Sequence, residues 1–168
     1  MLKKIALAIV MFALPLGVMA QAKFGHMNSQ EVISAMPEFK KAQTDLETMQ
    51  KNYQDEMKRS QDEFNKKYQE FVQQADSLPK NIAERRQKEL QDMDQRAQQF
   101  QQEAYQSLQK AQQDAMAPII QKVNDAVQAI GKAEGYTYIF DLASTSIPYV
   151  GTHSVDVTAK VKAQLGIK

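Results

Sequence analysis

From His26 to Ile130 the chain contains no glycine; its six glycines stand at positions 17, 25, 131, 135, 151 and 166. That glycine-free stretch is filled with Gln, Glu, Lys, Ala, Leu and Met. Such side chains lose little freedom on entering a helix, so the stretch predicts long helices. Pro37, Pro79 and Pro118 are its only punctuation. Twenty glutamines between positions 43 and 128 supply a neutral, solvated surface.

The apolar spacing predicts how these helices pack. Apolar or small residues recur at Met36, Phe39, Ala42, Leu46, Met49, Tyr53, Met57, Ser60, Phe64, Tyr68, Phe71, Ala75 and Leu78. A second stripe runs Ile82, Arg86, Leu90, Met93, Ala97, Phe100, Ala104, Leu108, Ala111, Ala115, Ile119, Val123, Ala126 and Ile130. Steps of 3 and 4 sustained this long make a coiled-coil seam, and each stripe needs a partner. Between them Pro79 cannot continue the first helix but suits the first turn of a second. The expectation is an antiparallel hairpin whose arms of about 40 residues reach on the order of 60 Å. The alternative, one helix of about 100 residues in a long parallel dimer, has Pro79 against it. Pro118 lies inside an unbroken apolar pattern and is expected to kink its helix by removing one hydrogen bond.

The flanks differ in kind. Residues 23–28 read as a short strand, with Asn28 or Ser29 capping the helix that follows. After Gly131 and Gly135, residues 136–142 are the strongest strand signal in the chain. Residues 147–150 are predicted as another strand, placed at an edge by Pro148, and Asp156-Val157-Thr158 opens a terminal helix ended by Gly166. The predicted fold is α+β, mainly α. A helical arm spans 31–118, with its turn near 76–80, and projects from a small β/α oligomerisation body built from 23–30 and 119–168. So small a body buries little surface alone, and self-association is the expected remedy. Phe24, Tyr138, Ile139, Phe140, Ile147 and Val150 are its candidate oligomer core.

The start of the chain predicts export. Lys3 and Lys4 precede an apolar run from Ile5 to Val18, and small residues follow at Ala20 and Ala22. That is the pattern of a secretory signal peptide over residues 1–22. The apolar run is shorter than the ~20 residues that a permanent span requires. Cleavage after Ala22 is favoured over cleavage after Ala20 and leaves 19 basic against 20 acidic residues. A nearly neutral chain offers no electrostatic case for nucleic acid or anionic lipid, and no stable membrane insertion is expected after cleavage. With no cysteine and only His26 and His153, a disulfide framework, a thiolate site and a multi-histidine metal centre are excluded by count. Asp92 with Asp94, and Asp55 with Glu56, fall on solvated helix with no predicted cleft, and no glycine loop can cradle a phosphate. Lys80, Arg85, Arg86 and Lys88 near the turn are mixed with Glu84 and Glu89. No catalytic residue, metal or cofactor is expected.

The exported start, the strand before Asn28, the Pro-punctuated helices, then Gly135-Tyr136-Thr137-Tyr138-Ile139-Phe140-Asp141 and Asp156-Val157-Thr158-Ala159-Lys160-Val161 resemble the Skp/OmpH family of periplasmic chaperones. The resemblance covers essentially the whole exported chain. It implies a homotrimer joined through the β body, with three arms around a cavity that holds unfolded outer-membrane β-barrel proteins without ATP. Members of that family are often strongly basic. Residues 38–117 carry 13 basic and 15 acidic side chains, so no charge-driven grip on clients or lipopolysaccharide is carried over. A holder needs many adaptable contacts, and Met and aromatic side chains supply them. Met49, Tyr53, Met57, Phe64, Tyr68, Phe71, Met93 and Phe100 fall on the seam and are expected to be packed within the arm. Val72, Tyr105 and Met116 fall off it and are the candidate client contacts. The alternative function is a structural or adaptor coiled coil of the cell envelope that binds a folded partner.

Overall fold

The computed structural model describes residues 22–167. The apolar leader and the Ala20 cleavage position lie outside the described residues. The elements in order are β1 (Lys23–Met27), α1 (Ser29–Ala35), α2 (Pro37–Gln74), α3 (Lys80–Glu134), β2 (Tyr136–Asp141), β3 (Ser154–Asp156) and α4 (Thr158–Gln164). The chain is mainly helical with one small sheet.

Local chemistry sets each boundary. Asn28 caps α1 by accepting the Glu31 N–H at 3.1 Å. Pro37 ends that short helix and opens α2, where its missing N–H costs nothing. At the far end the Ser77 hydroxyl and amide both donate to the Gln74 carbonyl at 2.9 Å, and Pro79 precedes the first turn of α3. Helix α3 then runs without interruption through Pro118 to Glu134. It stops at Gly135, whose φ of +69° is the left-handed geometry that glycine adopts most cheaply.

The sheet order is β2-β1-β3, with both ladders parallel. Parallel neighbours need a crossover, and between β1 and β2 that crossover is the whole helical region. Gly25 pairs with Ile139 on one side and Val155 on the other. A Cβ there would stand 3.1 Å from the Tyr136 ring, so glycine makes room for that ring against the central strand. The predicted strand at 147–150 does not form. Pro148 has no N–H to give a ladder, and the free edge of β1 is taken instead by Ser154–Asp156. The terminal helix begins at Thr158, where the Asp156 carboxylate accepts the Thr158 N–H at 2.8 Å.

One face of the sheet rests on a core of Met27, Val32, Met36, Ile119, Val123, Ala126, Ile130, Val157 and Val161. Strand, short helix, the last turns of α3 and α4 all contribute. Val32, Val157 and Val161 are wholly buried. Lys162 pairs with Glu31 at 2.6 Å across the outside of this core.

Helices α2 and α3 touch along their lengths. Lys122 meets Glu38 at 2.7 Å next to the core. Tyr53 and Phe100 pack edge to face at 5.7 Å farther out, Lys67 pairs with Glu89, and Arg86 donates to the Gln74 side chain at 3.0 Å beside the turn. Arg86, a polar interruption of its stripe, is half-buried here. The contact is thin: α2 has no fully buried residue, and outside the core α3 buries only Leu90 and Ala104.

Candidate functional site

Among the described residues an apolar surface stands open on the sheet and another along the paired helices, and neither is an enclosed pocket. The first is the face of the sheet turned away from the core. Side chains alternate across a strand, so Gly25 and Met27 point inward while Phe24 and His26 point out. Phe24 is paired in register with Tyr138, and His26 with Phe140. The rings of Phe24 and Tyr138 lie parallel at 6.3 Å and those of Tyr138 and Phe140 stand 5.8 Å apart, inclined by 25°, a row of three aromatics across two strands. Tyr138 is 59% exposed and Phe140 42%.

The loop from Leu142 to His153 borders this row and encloses with it an open, mainly apolar hollow of about 400 Å³. Phe24, His26, Phe140, Ile147, Tyr149, Val150 and His153 are among its walls. Tyr149 reaches into solvent at 80% exposure. Of the six oligomer-core candidates, Phe24, Tyr138, Phe140, Ile147 and Val150 therefore lie on or beside one open face. Ile139 does not: it points inward and packs against the chain's own core.

Polar contacts fasten the rim. The Ser29 amide and hydroxyl donate to the Asp141 carboxylate at 3.0 and 2.6 Å, and the Ala143 amide donates at 3.0 Å. Burial alone would raise the Asp141 carboxyl, but these donors and the Ser144 hydroxyl hold it below the usual carboxylate range. Glu134 receives Lys160 at 2.7 Å and Lys23 at 3.1 Å, which lower its carboxyl, and the Lys23 ammonium sits 3.9 Å over the Tyr136 ring.

The second surface runs along α2 and α3, whose two flanks differ. One flank groups Glu56, Glu63 and Lys67 of α2 with Glu89, Arg96 and Glu103 of α3. The Glu89 hydrogen bond raises the Lys67 ammonium and the reverse contact lowers Glu89, so both stay charged. The other flank groups Met57, Gln61 and Phe64 with Asp94, Gln98 and Gln101. Tyr68 stacks on Phe64 at 6.2 Å, and Val72 follows four residues later on the same side. Tyr105, four residues beyond Gln101, continues that flank along α3.

Val72 and Tyr105 are exposed, at 54% and 70%. Met116 is half-buried against the body core instead. Met57 and Tyr68, expected inside the seam, are 37% and 50% exposed, and Ala97 is exposed as well. The first stripe averages 3.5 residues per step, and a straight α-helix drifts by about 20° per heptad against that repeat, so Met57 and Tyr68 wind out of the contact. Glu56 and Lys67 take the inner positions beside it. Counting at the period of a straight helix would have found the drift.

Among the described residues no three His, Asp or Glu side chains gather as metal ligands, and no helix is long and apolar enough to cross a membrane. A family model described as outer membrane protein (OmpH-like) matches residues 23–165. The chain belongs to the OmpH-like family. Among solved structures, that of a proposed OmpH-like outer membrane chaperone from Caulobacter crescentus CB15 is similar with a TM-score of 0.74. It is 15% identical, over 86% of this chain and 83% of that one, so the likeness is one of fold. No curated protein matches the chain.

Proposed function

We propose that this OmpH-like chain is an ATP-independent holdase of the periplasm. It binds unfolded outer-membrane β-barrel proteins as a homotrimer after its leader is removed at Ala22. Membership of the OmpH-like family and the fold it shares with a proposed outer membrane chaperone support a chaperone role. In this reading copies join through the open aromatic sheet face, and the paired helices project as antiparallel hairpin arms.

The observation that carries the reading is the unequal pair of arm flanks. Met57, Phe64, Tyr68 and Val72 form a half-exposed row bordered mainly by glutamines, with Asp94 among them, while the opposite flank is ionic. A barrel precursor carries alternating apolar residues and unpaired strand edges. A row of Met and aromatic side chains meets such segments through many weak contacts that repack as the client moves. Set on a thinly packed helix pair, the row adjusts where a rigid pocket would not.

The test is light scattering from a urea-unfolded barrel protein diluted into buffer. Met57→Ser, Tyr68→Ser and Val72→Ser together are expected to lose most suppression of aggregation, with trimer mass unchanged by sedimentation. Glu63→Gln with Glu103→Gln on the ionic flank is expected to keep it. Equal suppression by both variants would sink the flank argument. Capture of one native protein with no effect on unfolded chains would replace the holdase by an adaptor.

A further inference from the structure

The chain contains no cysteine, so thioethers are the only sulfur an oxidant can meet. Of its nine methionines, Met27, Met36, Met49, Met57, Met93 and Met116 lie among the described residues, and the fold ranks them by exposure. Met27 and Met36 are 4% and 2% exposed within the core. Met49, Met93 and Met116 are half-buried. Met57 alone of these stands exposed, at 37%.

Its place on the arm gives that exposure a consequence. Met57, Phe64, Met93 and Phe100 border an open hollow of about 230 Å³ between α2 and α3. Met57 forms the end of the apolar row nearer the body. Helix α2 has no fully buried residue, and on either side of Met57 the helices are held by Tyr53 against Phe100 and by Lys67 against Glu89. A polar group added at Met57 therefore meets water and leaves the pairing of the helices standing.

A peroxide adds such a group. A sulfur lone pair takes one peroxide oxygen, the O–O bond breaks, and the other oxygen leaves as water with both protons. The sulfur is oxidised by two electrons and the peroxide reduced by two, and the sulfoxide is polar where the thioether was apolar. Phe64, Tyr68 and Val72, the rest of the row, carry no sulfur.

We infer that Met57 is the oxidation site of the folded chain: a peroxide converts it to the sulfoxide ahead of the other methionines, with the fold intact, and turns one end of the apolar row polar. Weaker holding of clients follows where that flank holds them. This consequence rests on the holdase reading, and the order of oxidation does not.

Hydrogen peroxide added to the exported protein, with tryptic peptides followed by mass spectrometry, tests the site. Cleavage after Lys51 and Lys58 releases Met57 as the only methionine of its peptide. Met57 is expected to react at least about tenfold faster than Met27 and Met36, which wait for the core to open, and ahead of Met49, Met93 and Met116, with far-ultraviolet circular dichroism unchanged. Oxidation of any of these as fast as Met57 overturns the site. With Met57 oxidised, the chain concentration that half-suppresses aggregation is expected to rise about threefold or more, as a polar group set in an apolar contact requires, and to return after treatment with a methionine sulfoxide reductase. Met57→Leu, compared with its own untreated sample, is expected to lose nothing to peroxide. Equal loss in Met57→Leu, or no loss with Met57 fully oxidised, overturns the effect on holding and leaves the holdase reading standing. An untreated chain that suppresses nothing overturns the holdase reading, and the effect on holding with it, while the peptide order still decides the site.

Discussion

Asp141→Ala removes the knot where the sheet, the first short helix and the loop after β2 meet. Three donors from Ser29 and Ala143 converge on this carboxylate at 2.6 to 3.0 Å, and all three lose their acceptor. Hydrogen bonds to a charged acceptor contribute about 1.5–3 kcal/mol each when buried, and water can reach part of this cluster, so a total loss of about 2–4 kcal/mol is expected. Urea unfolding followed by far-ultraviolet circular dichroism measures it, with chain concentration held equal because association would raise apparent stability. The pH dependence follows from the carboxyl being held low in the folded chain. Its contribution is fully present above the unfolded value of about 3.9 and is lost as pH falls through the lower folded value. The gap between wild type and Asp141→Ala is therefore constant from pH 8 to 5 and narrows below pH 4. A variant that stays within about 0.5 kcal/mol of wild type at pH 7, the range of ordinary surface substitutions, would refute the reasoning. So would a gap that widens in acid.

Met36→Ala empties a fully buried site between α1 and α2 and is expected to cost about 2–5 kcal/mol in the same unfolding assay. Gly135→Ala meets no atom within 4 Å but forces a Cβ into left-handed backbone, so it is expected to cost about 1–2 kcal/mol in the same assay.

The helices, the turn at Pro79, the strand 136–141 and the cap at Asn28 were all legible in the sequence, because each is written in local chemistry: glycine absence, proline position, β-branched and aromatic runs. The third strand was not. Ser154-Val155-Asp156 has little strand character of its own and is recruited by the open edge of β1, a partner at the opposite end of the sequence that no local pattern announces. Residues 147–150 have the better local pattern and lost the edge because Pro148 cannot join a ladder. The sheet surface was legible as a set of aromatics but not as a face. Deciding that Ile139 points inward while Tyr138 and Phe140 point outward requires the register with Gly25. On the arm, the exposure of Val72 and Tyr105 follows from spacing alone. That of Met57 and Tyr68 does not, since a rigid count of 3.5 hides the slow rotation of a nearly straight helix.

The central position of β1 has a consequence for the order in which this chain can fold. Its partners lie at the other end of the sequence: Lys23 bonds Glu134, Ser29 bonds Asp141 and Asn28 bonds Thr158, separations of 111, 112 and 130 residues. The long helices can zip together from their turn by contacts that grow one step at a time, whereas the sheet must close a loop almost as long as the chain. The strand made first therefore waits with both edges bare until β2 and β3 arrive. Val157 and Val161, which seal the core, follow directly on β3. Loss of residues 154–164 would strip β1 of a neighbour and the core of its seal together. The smallest elements of the fold thus act as its final latch, since the sheet closes only once β3 and α4 are in place.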